Sequence, residues 1–342
     1  MVAVIPLNDL RRIHEPLLSE FSSCWDRVMT SGWFLRGRET EKFEAEWAEY
    51  CGQAYCVSCA SGTDALTIAA IGLGLKRAVI QGNTLPLTAI ALYRAGVHLE
   101  LSDVEPDGRI LSHAPETVPV LLYGRLPQGR EVERRLYDAA HAHGWRPHQN
   151  AVACWSFYPT KTLGALGDAG AITTNDQGLA ELMRDLAGRD DVFRDGRQMT
   201  SRMDEVQAAI LSVKLKALPS WIAARQEIGQ RYLSDLPQTI NYVSNARGDL
   251  NHLAVIKLKD RDRLAGWLRA CGVETKVHFP VPLHKQAAPW GHSAVSLPAV
   301  EEWCSSVLTL PCFPGLTKKE QSLVVEAIVR FEENQNGADR SA

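Results

Sequence analysis

The sequence predicts an α/β protein, with a mostly parallel central sheet in a large domain over residues 1–236 and a small C-terminal α+β domain over 237–342. Two observations carry this expectation. From residue 54 onward, short apolar segments alternate with helix-like ones, the βα rhythm of a sheet buried on both faces. After Pro237 the texture changes to shorter, mixed segments. With 342 residues, 45% of them apolar, the chain can fill a large core and a smaller second one. A net charge of -3, with no basic excess, gives no reason to expect nucleic acid as a partner. The longest apolar runs, such as 65–75, are broken by glycine and too short to span a membrane. Residues 1–6 lack the features of a signal peptide, so a cytoplasmic location is expected.

Taken in order, residues 8–30 place Leu17, Leu18, Phe21, Trp25 and Val28 at helical spacing. Ser31-Gly32-Trp33-Phe34-Leu35-Arg36-Gly37 breaks that helix, and its aromatics either line a pocket or plug a seam. Residues 39–50 form a second helix with Phe43 and Trp47 on one face. A buried strand over 54–60 runs into Ser61-Gly62-Thr63-Asp64, which opens an apolar helix through Ala70. Strand, small polar turn and helix start make an anion site, because the first helical amides have no internal partner. The same residues also fit an ordinary helix cap, with Ser61 and Asp64 three apart. Neither a dinucleotide-binding glycine fingerprint nor a Walker-type loop occurs.

Apolar segments at 78–80, 87–95, 97–101 and 118–123 continue the rhythm. Asp138 then stands at a strand end, the side of an open α/β sheet that faces the ligand crevice, although a helix cap would use the same residue. His141 and His143 follow it. Lys161 lies between two strand-like runs, in a loop carrying Gly164, Gly167 and Gly170. Backbone that close to a core would desolvate the ammonium and make the amine a nucleophile for carbonyl groups, although a lysine on a hairpin loop with its head in water fits the same residues. A helix over 176–188 precedes a polar loop over 189–196, and two further helices are expected up to about 216 and over 220–233. Segments 253–258, 264–271, 276–281 and 307–310, a final helix over 318–331 and a frayed polar tail over 332–342 complete the small domain. Of the cysteines, only Cys56-Val57-Ser58-Cys59 has ligand-like spacing, and nothing answers it, so no metal site is expected.

An anion-binding turn, a carboxylate at a strand end and a desolvated lysine are the groups that pyridoxal 5'-phosphate (PLP) asks for: a helix N-terminus for its phosphate, a carboxylate for its ring nitrogen and an amine for its aldehyde. The motifs Ser61-Gly62-Thr63-Asp64-Ala65-Leu66, Asp138-Ala139-Ala140, Ala142-His143-Gly144, Ser156-Phe157-Tyr158-Pro159 with Lys161, and Ser201-Arg202-Met203-Asp204-Glu205 resemble the DegT/DnrJ/StrS aminotransferases. That resemblance implies the PLP-dependent fold of type I. It implies Lys161 as the Schiff-base lysine and proton carrier, Asp138 as the partner of the pyridinium, and Gly62, Thr63 and Ser156 at the phosphate. It also implies a homodimer with shared sites, in which Thr200, Ser201 and Arg202 reach the neighbouring subunit, while Trp33, His252 and His278 lie on the substrate side. The implied reaction moves an amino group from glutamate or glutamine to a keto sugar, nucleotide-linked, or a keto cyclitol.

The chain departs from the family pattern at His141, where glutamine is usual beside the cofactor, and at Thr200, where asparagine is usual. The stretches between Val97 and Asp138 and between Gly144 and Trp155 are short for full crossover helices. Other PLP chemistry, and a non-catalytic sensor or scaffold with the same fold, therefore stand as alternatives at this point.

Overall fold

The computed structural model describes residues 4–128, 135–188, 196–243, 248–288 and 295–339. The chain opens with α1 (Leu10–His14) and α2 (Leu18–Ser31), separated by a 3-10 turn at Glu15–Leu17. The single helix expected over 8–30 is thus split at Pro16, which has no N–H to continue it. There follow α3 (Arg38–Cys51), β1 (Tyr55–Cys59), α4 (Gly62–Gly72), β2 (Arg77–Gln81), α5 (Pro86–Arg94), β3 (His98–Ser102), β4 (Leu136–Asp138), β5 (Val152–Ser156), β6 (Gly170–Thr174), α6 (Gln177–Leu186) and α7 (Glu205–Asp235). The C-terminal part holds β7 (Asn241–Tyr242), β8 (Ala254–Lys257), α8 (Arg261–Ala270), α9 (Pro298–Ser306), β9 (Val307–Leu310) and α10 (Lys318–Asp339).

Strands pair in the order β1-β6-β5-β4 and, separately, β2-β3. The extended segment 116–121 joins the two sets. Val118 donates its N–H to the Val79 carbonyl at 2.9 Å, Asp138 donates to Pro119 at 3.0 Å, and Leu121 donates to Asp138 at 2.9 Å. The resulting sheet is parallel except at β6, which runs antiparallel to both β1 and β5. One face buries Ile68, Ile80, Leu92 and Met183 under α4, α5 and α6. The other buries Phe43, Trp47, Trp155, Phe157 and Leu211 under α3 and α7. Cys59 belongs to the first face and Cys56 to the second, as residues three apart on a strand must. Their thiols cannot converge on one ion.

Residues 103–116 contain no helix, and α9 from the C-terminal part fills the place a crossover helix would take. Val104 packs with Leu297, Val300 and Cys304, and the Asp103 carboxylate accepts from the amides of Ala299 (3.2 Å) and Val300 (2.8 Å), capping α9 from outside. Between β4 and β5, Trp145 fills the space of the missing helix by packing on Tyr137, with ring centroids 4.8 Å apart.

The C-terminal sheet runs β7-β8-β9, all antiparallel, around Tyr232, Ile256, Leu264, Leu308 and Ile328. Three expectations are corrected here. The helices expected to 216 and over 220–233 are one helix, α7, which continues through Pro219 because Leu215, Leu218 and Trp221 are all buried around it. Segment 276–281 contributes only a bridge from Lys276 to Thr309. The tail expected to fray at 332 stays helical to Asp339. Of the polar loop expected over 189–196, only Gly196 lies among the described residues.

Asp103→Ala should destabilise the protein by about 1–2 kcal/mol, because two amides at the start of α9 lose their shared acceptor. Urea unfolding monitored by tryptophan fluorescence checks this; an unchanged midpoint would show that α9 is held by its apolar face alone.

Candidate active site

Asp138 ends β4 and is 6% exposed. Thr88, in the first turn of α5, donates its hydroxyl to Asp138 Oδ2 at 2.7 Å, and the Ala140 amide donates to Oδ1 at 3.1 Å. Burial nonetheless pushes the Asp138 carboxyl above its usual pKa, against those two donors and the charge of Lys161.

Lys161 sits on the tight loop from β5 to β6. The loop closes on itself through Lys161 N–H to the Tyr158 carbonyl at 2.8 Å and Ala165 N–H to the Phe157 carbonyl at 2.7 Å. Desolvation lowers the Lys161 ammonium to about 8, with the Asp138 carboxylate opposing the shift.

At the start of α4, Ser61 Oγ accepts from the Asp64 amide at 3.1 Å, so the capping reading of this turn is correct as far as it goes. Asp64 does not close a reciprocal box. Its carboxylate instead accepts from the Ser201 hydroxyl at 2.8 Å. Among the described residues the amides of Gly62 and Thr63 donate to no protein group, leaving the helix terminus open to an anion. A Cβ at position 62 would stand 2.6 Å from Ser156 Cβ, so only glycine lets the turn close against the end of β5. That approach sets the Ser156 hydroxyl beside the open terminus.

These groups line one cavity of about 260 Å³, together with Leu87, Tyr158 and Phe279. His141 lines it as well. The Tyr123 amide donates to His141 Nδ1 at 3.2 Å, and since an N–H can only donate, the ring is neutral with its proton on Nε2. Burial, with the charges of Lys161, His278 and His143, drives its pKa well below the usual histidine value. A histidine free in water titrates near neutrality, and the surroundings of His141 disfavour its charged form. His143 is fully buried among Trp47, Trp155 and Phe157, and is lowered to about 3 chiefly by desolvation.

The remaining candidates lie around this cavity or away from it. His252 is buried behind His141, with ring centroids 4.5 Å apart, and its Nδ1 lies 3.0 Å from Thr162 Oγ1. His278 turns its Nδ1 to Thr309 Oγ1 at 2.8 Å, and it is the neighbouring Phe279 that lines the cavity. Arg202 lines a different groove, with Arg36, Glu44 and Arg184, and Thr200 is exposed. Trp33 is 62% exposed beside Arg27 and Glu205. None of these three joins Lys161 in the cavity. Thr88 and Phe279 were not anticipated from the sequence, because nothing local ties a helix-start threonine or a proline-flanked phenylalanine to residues distant in the chain. Among the described residues no cluster of three or more histidine, cysteine, aspartate or glutamate side chains could hold a metal ion.

The profile of the DegT/DnrJ/EryC1/StrS aminotransferase family matches residues 18–115 and 135–329. The chain belongs to this family. As an aminotransferase it has relatives of matching length. It is 34% identical to the erythromycin biosynthesis sensory transduction protein EryC1 of Saccharopolyspora erythraea, over 95% of this chain and 98% of that one. It is 32% identical to the dTDP-3-amino-3,4,6-trideoxy-alpha-D-glucose transaminase of Streptomyces venezuelae, over 98% of both chains. The crystal structure of S. venezuelae DesV in complex with a ketimine intermediate superposes with a TM-score of 0.90 at 32% identity, covering 96% of this chain and 99% of that one. No helix among the described residues is long and apolar enough to cross a membrane.

In the protein freed of bound aldehydes, reductive alkylation of Lys161 should rise with pH through a midpoint near 8 instead of the ordinary 10.5. The Asp138 carboxylate favours the protonated amine, so Asp138→Asn should move that midpoint lower. Peptide mapping across a pH series reads both effects, and a midpoint that rises in Asp138→Asn would contradict the electrostatics described.

Proposed function

We propose that this aminotransferase uses PLP, held by Lys161 in the cavity described, to move an amino group from glutamate or glutamine to a keto sugar, nucleotide-linked, for amino-sugar biosynthesis. The observation that carries the reading is the meeting of three groups in one cavity: the Lys161 amine, the Asp138 carboxylate and the open amides at the start of α4. They match the three ends of PLP: an amine for its aldehyde, a carboxylate for its ring nitrogen and open amides for its phosphate. The substrate class is supported by the names of the relatives, among them a transaminase of a dTDP-linked sugar.

In this reading the residues divide the work. Gly62, Thr63 and Ser156 would hold the phosphate through amides and hydroxyls, using the favourable end of the α4 dipole. Asp138, fixed by Thr88 and Ala140, keeps the ring nitrogen protonated. His141, neutral and lining the cavity, would have its Nε2–H to offer the cofactor. Lys161, with its lowered pKa, has a neutral amine available near physiological pH to attack carbonyls and to carry protons at the reacting carbon. Leu87, Leu122 and Phe279 give the cavity that holds this amine a partly apolar wall. Bound PLP supplies the electron sink that lets a proton leave the carbon next to nitrogen.

The reading includes a homodimer with shared sites. Trp25, Met29, Trp33 and Phe34 form an exposed apolar patch close to the groove of Arg202, a patch of the kind that marks protein contacts. Thr200, Arg202 and Trp33 would act on the partner's cavity, with His252 and His278 lending support to the substrate side. It also includes the two-domain division at residue 236, supported by the separate apolar core around β7, β8 and β9.

Borohydride treatment of protein loaded with PLP should attach the cofactor to Lys161, and Asp138→Asn should keep some cofactor yet lose about 100-fold or more in kcat. A label on another lysine, or a near-parental rate for Asp138→Asn, removes this function. Mixing Lys161→Ala with Arg202→Ala subunits should restore turnover that neither variant shows alone, and a mixture as inactive as its components argues that Arg202 acts within its own chain.

A further inference from the structure

The loop that carries Lys161 is gripped from behind by α7. Gln207 Oε1 accepts from the Leu166 amide at 2.8 Å, and Lys214 Nζ donates to the Gly164 carbonyl. Gln207 and Lys214 are seven residues apart, about 10 Å along a helix and on the same face. Between them Leu211 is fully buried in the same apolar cluster as Leu163 and Ala165 of the loop. One helix stripe thus reads one amide and one carbonyl of the loop with an acceptor and a donor in matching places.

Gly164 is tied to the other limb of the loop as well. A Cβ there would stand 2.4 Å from the Pro159 carbonyl oxygen, so the backbone at 164 rests directly on the backbone two residues before Lys161. Whatever holds the Gly164 carbonyl therefore holds the segment that aims Lys161.

Lys214 is a costly way to fill space. It is 2% exposed, and its close neighbours are neutral: the Gly164 carbonyl, His14 Nε2 at 2.9 Å and the Trp221 ring at 5.8 Å. A buried ammonium with no counter-ion among the described residues is less stable than a methionine of similar length, so packing alone does not account for it. Since an ammonium can only donate, His14 accepts through Nε2 and is neutral, which places α1 as the back wall of the grip. A small cavity connects His14 and Lys214 with Lys161 and Thr162. Burial lowers Lys214 to about 8 and His14 to about 4, in keeping with this arrangement.

We propose that Lys214 and Gln207 are positioning residues for Lys161, holding the backbone of its loop so that the amine stays aimed into the cavity. This rests on the reading of Lys161 as the reacting amine. The test compares the PLP-loaded parent with Lys214→Met, Gln207→Leu and Gln207→Glu, measuring kcat, KM for the amino donor, melting temperature and the rate of borohydride trapping at Lys161. Lys214→Met and Gln207→Leu should lower kcat and slow trapping by about 10- to 100-fold, the effect of a misplacement near 1 Å, with KM changing less than about threefold. Gln207→Glu keeps the acceptor and should stay near the parent. If Lys214→Met does not fold, the Gln207 pair decides, since that side chain lies near the surface. Parental kcat and trapping in folded Lys214→Met and Gln207→Leu, or a drop in melting temperature alone, overturn the proposal. A parent that takes no label at Lys161 instead overturns the functional reading beneath it.

Discussion

Asp138 and Lys161 share a cavity without forming an ion pair, so each is left to bear the loss of water largely by itself. For Lys161 desolvation outweighs the pull of the carboxylate, and for Asp138 the attraction of Lys161 is the smallest of the influences on it. Two ionisable groups kept near but apart are free to engage a third body, and much of the fold follows from keeping them so. Asp138 needs a strand end and two donors, which come from α5 and from its own turn. Lys161 needs a loop at the same end of the sheet as Asp138. A parallel crossover after β5 would carry the chain to the far end before the next strand began. The direct return into β6 keeps the whole loop at that end and makes β6 the antiparallel strand in a sheet otherwise parallel.

The second requirement is a closed crevice without full crossover helices. The C-terminal part meets it by leaning on the sheet through α9 and through Tyr123. The Tyr123 amide fixes His141, its hydroxyl donates to the His278 carbonyl at 2.5 Å, and it accepts from Trp303 Nε1 at 3.1 Å. Tyr123 has φ of 64°, in the left-handed region that a non-glycine residue adopts at some expense, and three partners hold it there. One residue thereby links the wall of the cavity to the segment that delivers Phe279. The short stretches seen in the sequence are compensated within the same chain.

The features legible in the sequence are those whose chemistry is local. Lys161 is set off by its glycines, Asp138 by a strand end and Ser61-Gly62-Thr63 by a helix start, and each keeps its immediate context in the structure. The features that escaped depend on pairing across distance. Thr88 meets Asp138 across 50 residues and Lys214 meets Gly164 across the same interval, with no signal at either end. Pro219 reads as a stop because its own hydrogen bond is lost, yet the buried side chains around it outweigh that local deficit. Strand direction is equally non-local: the sequence pattern of β6 is that of any buried strand, and only its short link to β5 reveals the reversal.

His141 shows how a departure from a family pattern can leave the chemistry intact. Glutamine, which the resemblance implies at this position, is a neutral side chain offering N–H donors. A free histidine would differ by gaining charge near neutral pH, and a positive charge there would oppose the Lys161 ammonium. The structure removes that difference in two ways. The Tyr123 amide occupies Nδ1, so a proton there would face another N–H, and burial beside Lys161, His143, His278 and the His252 ring penalises any added charge. What remains is an imidazole with one N–H available, the functional equivalent of an amide donor on a stiffer side chain. The departure thus bears on how the donor is held and not on the class of reaction, which weakens the case for a non-catalytic role built on this residue.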